Sequence, residues 1–242
     1  MASSRFVCSN SVVANPALRN SATAFGRCLL AIGIAWATAA LTVGAAESPL
    51  YQNDFEKAEA GKLPEGFMVM QGEFGVKDLG TNKVLELAGG PVDSFSVLFG
   101  PITNANAAVE ARILGTAKGR RMPMFGVGLG GVSGYKLQVA PGKKAVDVIL
   151  GDGEQQLIVA SAPFNWESGT WTQCKLQIRQ TGEAAWRVEG KAWKVGDPEP
   201  KEWLVTLDAK EPPIAGQASV LGSPISGNAI WFDELKVSGV GK

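Results

Sequence analysis

The sequence predicts an all-β fold, either a sandwich or a barrel, from three observations. Short stretches of strand-like composition follow one another along most of the chain, with turn residues between them. The 242 residues include 30 Gly and 13 Pro, which favour turns over long helices. No sustained apolar pattern at helical spacing occurs in the body of the chain. Since 45% of the residues are hydrophobic, the chain has ample material for a packed core.

The first segment has the composition of a secretory signal. Arginines precede an apolar run at residues 28–46, and the small residues at its end permit cleavage after Ala45 or Ala46. We therefore assign residues 1–46 to a signal helix and residues 47–242 to a β-sandwich domain that is periplasmic or extracellular after cleavage. The alternative is an uncleaved segment that anchors the protein in the membrane, because the apolar run is nearly long enough to span a bilayer.

The strands are expected where β-branched and aromatic residues cluster between Gly, Pro, Asn and Asp. A short extended piece at residues 53–56 leads into a loop with Gly and Pro. The later strands are predicted at residues 67–71, 73–78, 83–87, 95–100, 107–114, 124–130, 135–140, 145–150, 155–161, 171–180, 185–194, 202–208, 216–222 and 229–237.

The composition excludes several partners and kinds of chemistry. Basic and acidic residues balance at 23 each and no basic block occurs, so nucleic acid is not an expected partner. The glycines of residues 126–134 do not follow a strand and open a helix, so no nucleotide is expected. Histidine is absent, which removes Ser-His-Asp and Cys-His nucleophiles and His-containing zinc sites. Cys174 lies in the apolar alternation of its strand and is interpreted as a small buried hydrophobe.

Two consecutive strands, at residues 171–180 and 185–194, are predicted to form a hairpin. In one register Lys175 lies opposite Glu189, and in the other, shifted by two residues, it lies opposite Lys191. Because like charges directly opposite each other destabilise a strand pair, the first register is predicted.

That register sets Trp171 opposite Trp193 on the polar face of the hairpin. Sugar rings stack on flat indole faces, and neighbouring polar groups bind their hydroxyls. We therefore predict a carbohydrate ligand there, with Glu189, Lys191 and Gln173 as the polar neighbours. The alternative is that the proline-bearing loop after the hairpin covers both indoles.

A series of motifs resembles a known family. The stretches "DFEKAEAGKLPEGF", "GEFGVKDLGTNKVLEL", "GYKLQV", "GKAWKVGDPEPKEW" and "IWFDELKV" occur in this order. Together they resemble the concanavalin A-like, laminin G-like modules of exported bacterial proteins, many of them grouped as 3-keto-disaccharide hydrolase-like or family 16 glycoside hydrolase-like domains. The resemblance covers Asp54 to Val237, and "GKAWKVGDPEPKEW" is its most specific part. It implies a jelly-roll sandwich of two antiparallel sheets, often tied to carbohydrate, and supplies no catalytic positions.

The sequence leaves enzymatic activity undecided and leans against it. Laminarinase-like enzymes of similar architecture carry Glu-x-Asp-x-x-Glu on one strand, and this spacing occurs nowhere in the chain. A retaining glycosidase needs two carboxyl groups about 5–5.5 Å apart. The nearest acidic clusters, in "DFEKAE" and "DPEPKE", lie in or beside loops and are interpreted as solvated charges.

Asp233 stands out in the last strand, because regular alternation places it on the apolar face with Leu235. A buried carboxylate needs a partner. In the modules that the chain resembles, acidic residues of the first and last strands often approach each other and bind a structural Ca²⁺, which implies Asp54 or Glu56 together with Asp233 as ligands. The alternative needs no metal: Asp233 caps backbone N–H groups or pairs with a Lys or Arg of the neighbouring strand. No other cofactor is expected.

Three functions remain open from the sequence. The first is an exported, non-catalytic module that binds carbohydrate or another surface through Trp171 and Trp193. The second is a glycoside-processing hydrolase of the 3-keto-disaccharide type. The third is a purely structural domain of an exported assembly.

Overall fold

The computed structural model describes residues 49–90, 93–152 and 155–241. All of them belong to one compact unit, Val43–Lys242. The expected signal segment at residues 1–46 lies outside the described residues. Within the described part of the chain, no helix is long and apolar enough to cross a membrane.

The described residues form strands joined by turns and one short 3₁₀ helix. The helix is Pro141–Lys143. The strands are β1 Pro49–Asn53, β2 Met68–Gln71, β3 Phe74–Leu79, β4 Asn82–Leu87, β5 Phe95–Thr103, β6 Ala107–Leu114, β7 Met124–Leu129, β8 Tyr135–Ala140, β9 Ala145–Leu150, β10 Leu157–Pro163, β11 Trp171–Gly182, β12 Ala185–Lys194, β13 Val205–Ala209, β14 Gly216–Ser223 and β15 Ile230–Gly239.

The strands pair into two antiparallel sheets, as the sequence predicted. The eight-stranded sheet has the order β13-β12-β11-β6-β15-β4-β3, and β1 pairs with β15 beside this path. The seven-stranded sheet has the order β10-β9-β8-β7-β14-β5-β2. The first and last strands are therefore neighbours, which ties the two ends of the domain together.

The hydrophobic core lies between the two sheets. Alternate residues of the central strands face inward and are fully buried, such as Val109 and Ile113 on β6 and Leu176 on β11. The residues between them face outward, so each sheet has an outer face made of different side chains. These two outer faces are where a ligand can reach the sandwich.

The predicted strand positions match the observed strands closely, with one displacement at the start. The first strand is Pro49–Asn53, whereas the sequence placed an extended piece at residues 53–56. The side chain of Asn53 accepts a hydrogen bond from the backbone N–H of Phe55 at 2.8 Å, and Phe55 has a φ of 58°. This turn ends the strand at Asn53.

The predicted hairpin register of β11 and β12 is wrong. In the structure Lys175 lies opposite Lys191, and Arg179 lies opposite Arg187. Each of these cations has an acidic partner, and several of the partners come from outside the hairpin. Glu110 on β6 is 3.2 Å from the Nζ of Lys175, and other acidic groups serve the remaining cations. The pairwise charge rule failed because it considered the hairpin alone.

The predicted face of Asp233 is also wrong. The pairing of β15 with β6 shifts by one residue between Asp233 and Lys236, and Glu234 in this bulge has a φ of 50°. Because a bulge inserts one residue, the alternation reverses there. Phe232 and Leu235 both enter the core, and Asp233 lies on the outer face of the eight-stranded sheet.

Candidate functional site

The outer face of the eight-stranded sheet carries polar side chains in rows that cross the strands. One row joins Gln173 on β11, Arg112 on β6 and Asp233 on β15. The next row joins Lys175, Glu110 and Lys236 at the corresponding positions of the same strands. We call this surface the polar face.

The row at the end of these strands is apolar. Trp171 and Trp231 lie on either side of Leu114, one on each neighbouring strand, and all three are half-buried. Neighbouring strands are about 4.8 Å apart, so the backbones carrying the two indoles are separated by roughly 10 Å. We call Trp171, Leu114 and Trp231 the indole row. The guanidinium carbon of Arg112 lies 5.7 Å from the centre of the Trp171 ring, which places a polar group directly beside it.

A depression of about 260 Å³ lies next to the indole row. Its lining residues are all polar or charged and come from β1, β6, β11 and β15: Gln52, Glu110, Arg112, Gln173, Glu234 and Lys236. Amide, guanidinium, ammonium and carboxylate groups therefore converge on one surface hollow. Such a set supplies both hydrogen-bond donors and acceptors.

Two buried atoms of these lining residues lack a hydrogen bond within the protein. They are the Nε of Arg112, a donor, and the Oε1 of Glu110, an acceptor. The Oε1 of Glu110 itself lies 3.2 Å from the Nζ of Lys175 and 3.7 Å from that of Lys236, so two ammonium groups already pair with it and the Nε of Arg112 is left without a partner. A buried polar atom without a hydrogen bond costs free energy and calls for an explanation. A ligand group that accepts a hydrogen bond would satisfy the Nε of Arg112.

Trp193 belongs to a different arrangement, in which the following loop folds back onto the sheet. The Nζ of Lys191 donates to the backbone carbonyl of Pro200 at 2.9 Å and lies 2.7 Å from the carboxylate of Glu199. The same Nζ lies 4.5 Å from the centre of the Trp203 ring and 5.8 Å from that of Trp193. We call Lys191, Trp193, Glu199 and Trp203 the lysine clasp. The rings of Trp193 and of the loop residue Trp203 thus lie beside the same ammonium group. Trp171 instead lies beside Arg112, which lines the depression.

The other residues of the predicted sugar site are separated in the structure: one lines the depression, one belongs to the lysine clasp, and one belongs to neither. Gln173 lies opposite Trp193 and lines the depression. Glu189 is 5% exposed and its Oε2 accepts hydrogen bonds from Gln177 at 2.6 Å and Arg179 at 2.9 Å. Lys191 is held in the clasp. Gln173 is therefore the predicted residue that lines the depression, and Trp171 lies two residues away on the same face of β11.

The Asp233 carboxylate is fully engaged by neighbouring side chains. Its Oδ2 accepts hydrogen bonds from the Nη2 of Arg112 at 2.7 Å and the Nδ2 of Asn82 at 2.9 Å, and its Oδ1 accepts one from the backbone N–H of Glu234 at 2.7 Å. Arg112 stands on the neighbouring strand, which is the metal-free arrangement that the sequence left open.

The other proposed calcium ligands, Asp54 and Glu56, follow the first strand and bind backbone N–H groups. The Oδ1 of Asp54 accepts from the backbone N–H of Glu56 at 3.3 Å, and the Oε1 of Glu56 accepts from the backbone N–H of Lys83 at 2.9 Å. Among the residues that the structure describes, no group of three or more acidic or sulfur ligands could hold a metal ion.

Glu199, in the loop after β12, and Cys174, on β11, are among the groups with shifted pKa values. Burial raises the pKa of Glu199, but the hydrogen bond from Lys191 and the nearby charge of Lys175 outweigh burial and leave the pKa below its usual range. Burial raises the pKa of the Cys174 thiol to about 12, so the thiol stays protonated, as expected of a small buried hydrophobe.

Sequence reasoning missed Arg112, Leu114 and Trp231. Each lies on a strand far along the chain from Trp171, and only the pairing of β6 with both β11 and β15 brings them together. The alternation of Glu110 and Arg112 with apolar residues on β6 could have placed these two charges on an outer face. It could not have named their neighbours.

Comparisons with known proteins identify the fold. No protein-family model matches the chain, and no curated protein sequence matches it. Solved structures do match. The carbohydrate recognition domain of Emp47p is 10% identical with a TM-score of 0.54, over 82% of this chain and 99% of that domain. The carbohydrate-binding module CBM66 from Bacillus subtilis is 12% identical with a TM-score of 0.51, over 72% of this chain and 96% of the module.

A third similar structure is a Bacillus subtilis protein of unknown function with a galectin-like fold. It is 9% identical with a TM-score of 0.51, over 81% of this chain and 99% of that protein. At such low identity these likenesses show the fold alone. The domain is a jelly-roll sandwich of the kind found in carbohydrate-binding modules and lectins.

Proposed function

We propose that this protein is an exported, non-catalytic module that binds carbohydrate at the depression of the polar face. The observation that carries the proposal is the indole row beside a hollow whose lining includes a buried donor without a hydrogen bond, the Nε of Arg112. The jelly-roll fold supports it, since the similar structures include a carbohydrate-binding module and a carbohydrate recognition domain.

The proposed binding mode follows from the two kinds of surface. A sugar ring presents C–H groups on its faces and hydroxyls around its edge, so it stacks on Trp171 while its hydroxyls reach Gln173 and Arg112. A sugar hydroxyl can accept a hydrogen bond, which matches the Nε of Arg112, a donor without a hydrogen bond within the protein. Positive and negative groups are mixed in the lining, which favours a neutral sugar over a strongly charged one.

The experiment is a glycan array followed by calorimetric titration of the sugar that binds best. Trp171→Ala is expected to weaken binding by about 3- to 10-fold through loss of ring stacking. Gln173→Ala, which removes hydrogen bonds without touching the indole, is expected to weaken it by a similar factor.

The matched control is Trp193→Phe, which keeps an aromatic ring in the lysine clasp. It is expected to leave the affinity unchanged, because Trp193 contacts the loop rather than the depression. Affinity that survives both Trp171→Ala and Gln173→Ala would show that the sugar binds elsewhere. A mature protein that binds no glycan would favour a structural role instead.

A hydrolase of the 3-keto-disaccharide type is a second candidate, because two glutamates, Glu110 and Glu234, line the depression. In this proposal the two carboxyl groups act as acid and base on the bound glycoside. Turnover of a 3-keto-glycoside that is lost in both Glu110→Gln and Glu234→Gln would establish it. Turnover that neither substitution affects would exclude these carboxylates.

A further inference from the structure

We infer that the opposite side of the sandwich holds a second site, a cleft that takes a single polyhydroxylated ring. The cleft lies on the outer face of the seven-stranded sheet and has a volume of about 170 Å³. Sites for drug-sized ligands occupy about 300–1,000 Å³, so this cleft has room for one ring and not for an extended chain. The inference shares its ligand class with the proposed function and uses none of the same residues.

The cleft opens where the central strand has no side chain. Ser96, Leu221, Gly126 and Gln138 lie side by side across β5, β14, β7 and β8. Gly126 is required there, because a Cβ atom would collide with the backbone carbonyl of Leu137 on the neighbouring strand. No side chain of β7 therefore stands between Leu221 and Gln138, which both line the cleft.

The lining combines an apolar surface with polar groups around it. Leu221 and Phe95 supply apolar contact area, while Ser96 and Gln138 supply a hydroxyl and an amide. A sugar ring needs this combination, because its C–H face packs on apolar groups and its edge forms hydrogen bonds.

A lysine and an aspartate bound one side of the cleft. Lys136 is 6% exposed, and its Nζ donates to the carbonyl of Gly151 at 2.8 Å and lies 3.9 Å from the Oδ1 of Asp152. Burial lowers the pKa of Lys136, and the charge of Asp152 partly offsets this. Because the two opposite charges are close together, the cleft favours a neutral ligand over an anion.

A buried hydroxyl beside the cleft lacks a partner. Ser219 is 1% exposed, and its Oγ makes no hydrogen bond within the protein. This Oγ lies over Gly128, only 2.5 Å from where a Cβ atom would be, next to the stem of Lys136. A buried hydroxyl without a hydrogen bond costs free energy, and an ordered water beside Lys136 would remove that cost.

The position of this cleft has a consequence for the way the protein would act. The two sheets enclose the core, so their outer faces point in opposite directions. One short glycan cannot occupy both sites. With both sites filled, the domain would hold two separate chains, or one chain and one free sugar.

The test is an amide-resolved NMR titration of the mature protein with a panel of neutral monosaccharides, namely glucose, galactose, mannose and fructose. At least one sugar is expected to shift the signals of β7, β8 and β14. Ser96→Phe, which fills the cleft, is expected to abolish these shifts. Gln138→Leu, which keeps the size of the side chain, is expected to weaken binding by about 3- to 10-fold. The matched control is Ile158→Phe, an aromatic substitution on the same sheet outside the cleft, which is expected to change nothing.

The outcomes separate this site from the polar face. Shifts of β7, β8 and β14 that survive Trp171→Ala and vanish in a folded Ser96→Phe variant establish the cleft. No shift in these strands with any sugar of the panel, or shifts that Ser96→Phe leaves intact, would overturn it. Loss of binding at β6, β11 and β15 alone would count against the proposed function and leave the cleft standing.

Discussion

Asp233 is the residue on which the organisation of the polar face depends most. It is 1% exposed, and its oxygens accept three hydrogen bonds, one of them from the guanidinium of Arg112. Asp233→Ala leaves that guanidinium without its carboxylate, so we expect the free energy of unfolding to fall by about 2–4 kcal/mol. Urea unfolding at neutral pH measures the change. Asp54→Ala removes an exposed carboxylate and is expected to change stability by less than about 0.5 kcal/mol. Equal losses in the two variants would contradict this role for Asp233.

Calcium is expected to leave the melting temperature unchanged. A ligand that binds the native state must raise it, and the Asp233 carboxylate is engaged by Arg112, Asn82 and the backbone of Glu234. Differential scanning calorimetry with added Ca²⁺, and again with a chelator, checks this. A melting temperature that rises with Ca²⁺ and falls with the chelator would restore the calcium interpretation.

At the scale of single residues, the sequence identified part of the candidate site and missed the rest for a physical reason. Trp171 and Gln173 were predicted because alternation along one strand places them on a polar face. Arg112 and Trp231 were not, because they meet Trp171 only across hydrogen-bonded strands. Alternation along a strand predicts which face a residue occupies. It does not predict which residues of the adjacent strands lie beside it.

At the scale of elements, the bulge in β15 decides which side chains face the core. Glu234 has a φ of 50°, a conformation that costs a residue with a side chain about 1–2 kcal/mol. Glu234→Gly is therefore expected to keep or raise stability, whereas the β-branched Glu234→Val is expected to lower it by about 1–2 kcal/mol. Thermal unfolding of both variants makes the comparison. A glycine variant less stable than the valine variant would contradict the bulge.

The lysine clasp is expected to make stability depend on pH. The folded-state pKa of Glu199 is lowered, so its stabilising contribution is present above the ordinary carboxyl pKa and is lost as the pH falls through the lowered value. Glu199→Gln should cost no more than about 1 kcal/mol at neutral pH, since the carboxylate is half-exposed. The difference in stability between Glu199→Gln and the unsubstituted protein should vanish at a pH below the lowered pKa of Glu199. The control is Glu202→Gln, an exposed charge of the same loop; a similar pH profile in that variant would show that the clasp is not the cause.

The positions of strands were predictable from the sequence, and their registers were not. Strand positions depend on local composition, which is why β6, β8, β9 and β12 lie at their predicted residues. The register of β11 and β12 depends on cations whose acidic partners lie on β6, on β13 and in the loop after β12. The sequence of the hairpin alone therefore cannot predict its register.

At the scale of the whole molecule, the order of motifs predicted the jelly-roll fold. It did not predict the order of the strands within each sheet. β6 lies between β11 and β15, and β14 lies between β5 and β7, so neighbours in each sheet are distant in the chain. Long-range pairing of this kind leaves no periodic trace in the sequence. The two outer faces, and the two binding sites that we propose on them, exist only after the sandwich has closed.

Because the first strand pairs with the last, β1 is a structural part of the domain. β1 pairs with β15 from Pro49 to Asn53, and the ring of Tyr51 packs 5.6 Å from that of Phe99 on the opposite sheet. A protein of residues 47–242 is therefore expected to unfold cooperatively. Removing seven more residues, to begin at Asp54, is expected to lower stability by about 2–4 kcal/mol, because it deletes the Tyr51 packing and exposes the edge of β15. Tyr51→Ala in the longer protein separates the packing loss from the pairing loss. Urea midpoints that are equal for the proteins beginning at residues 47 and 54 would show that β1 contributes nothing to the fold.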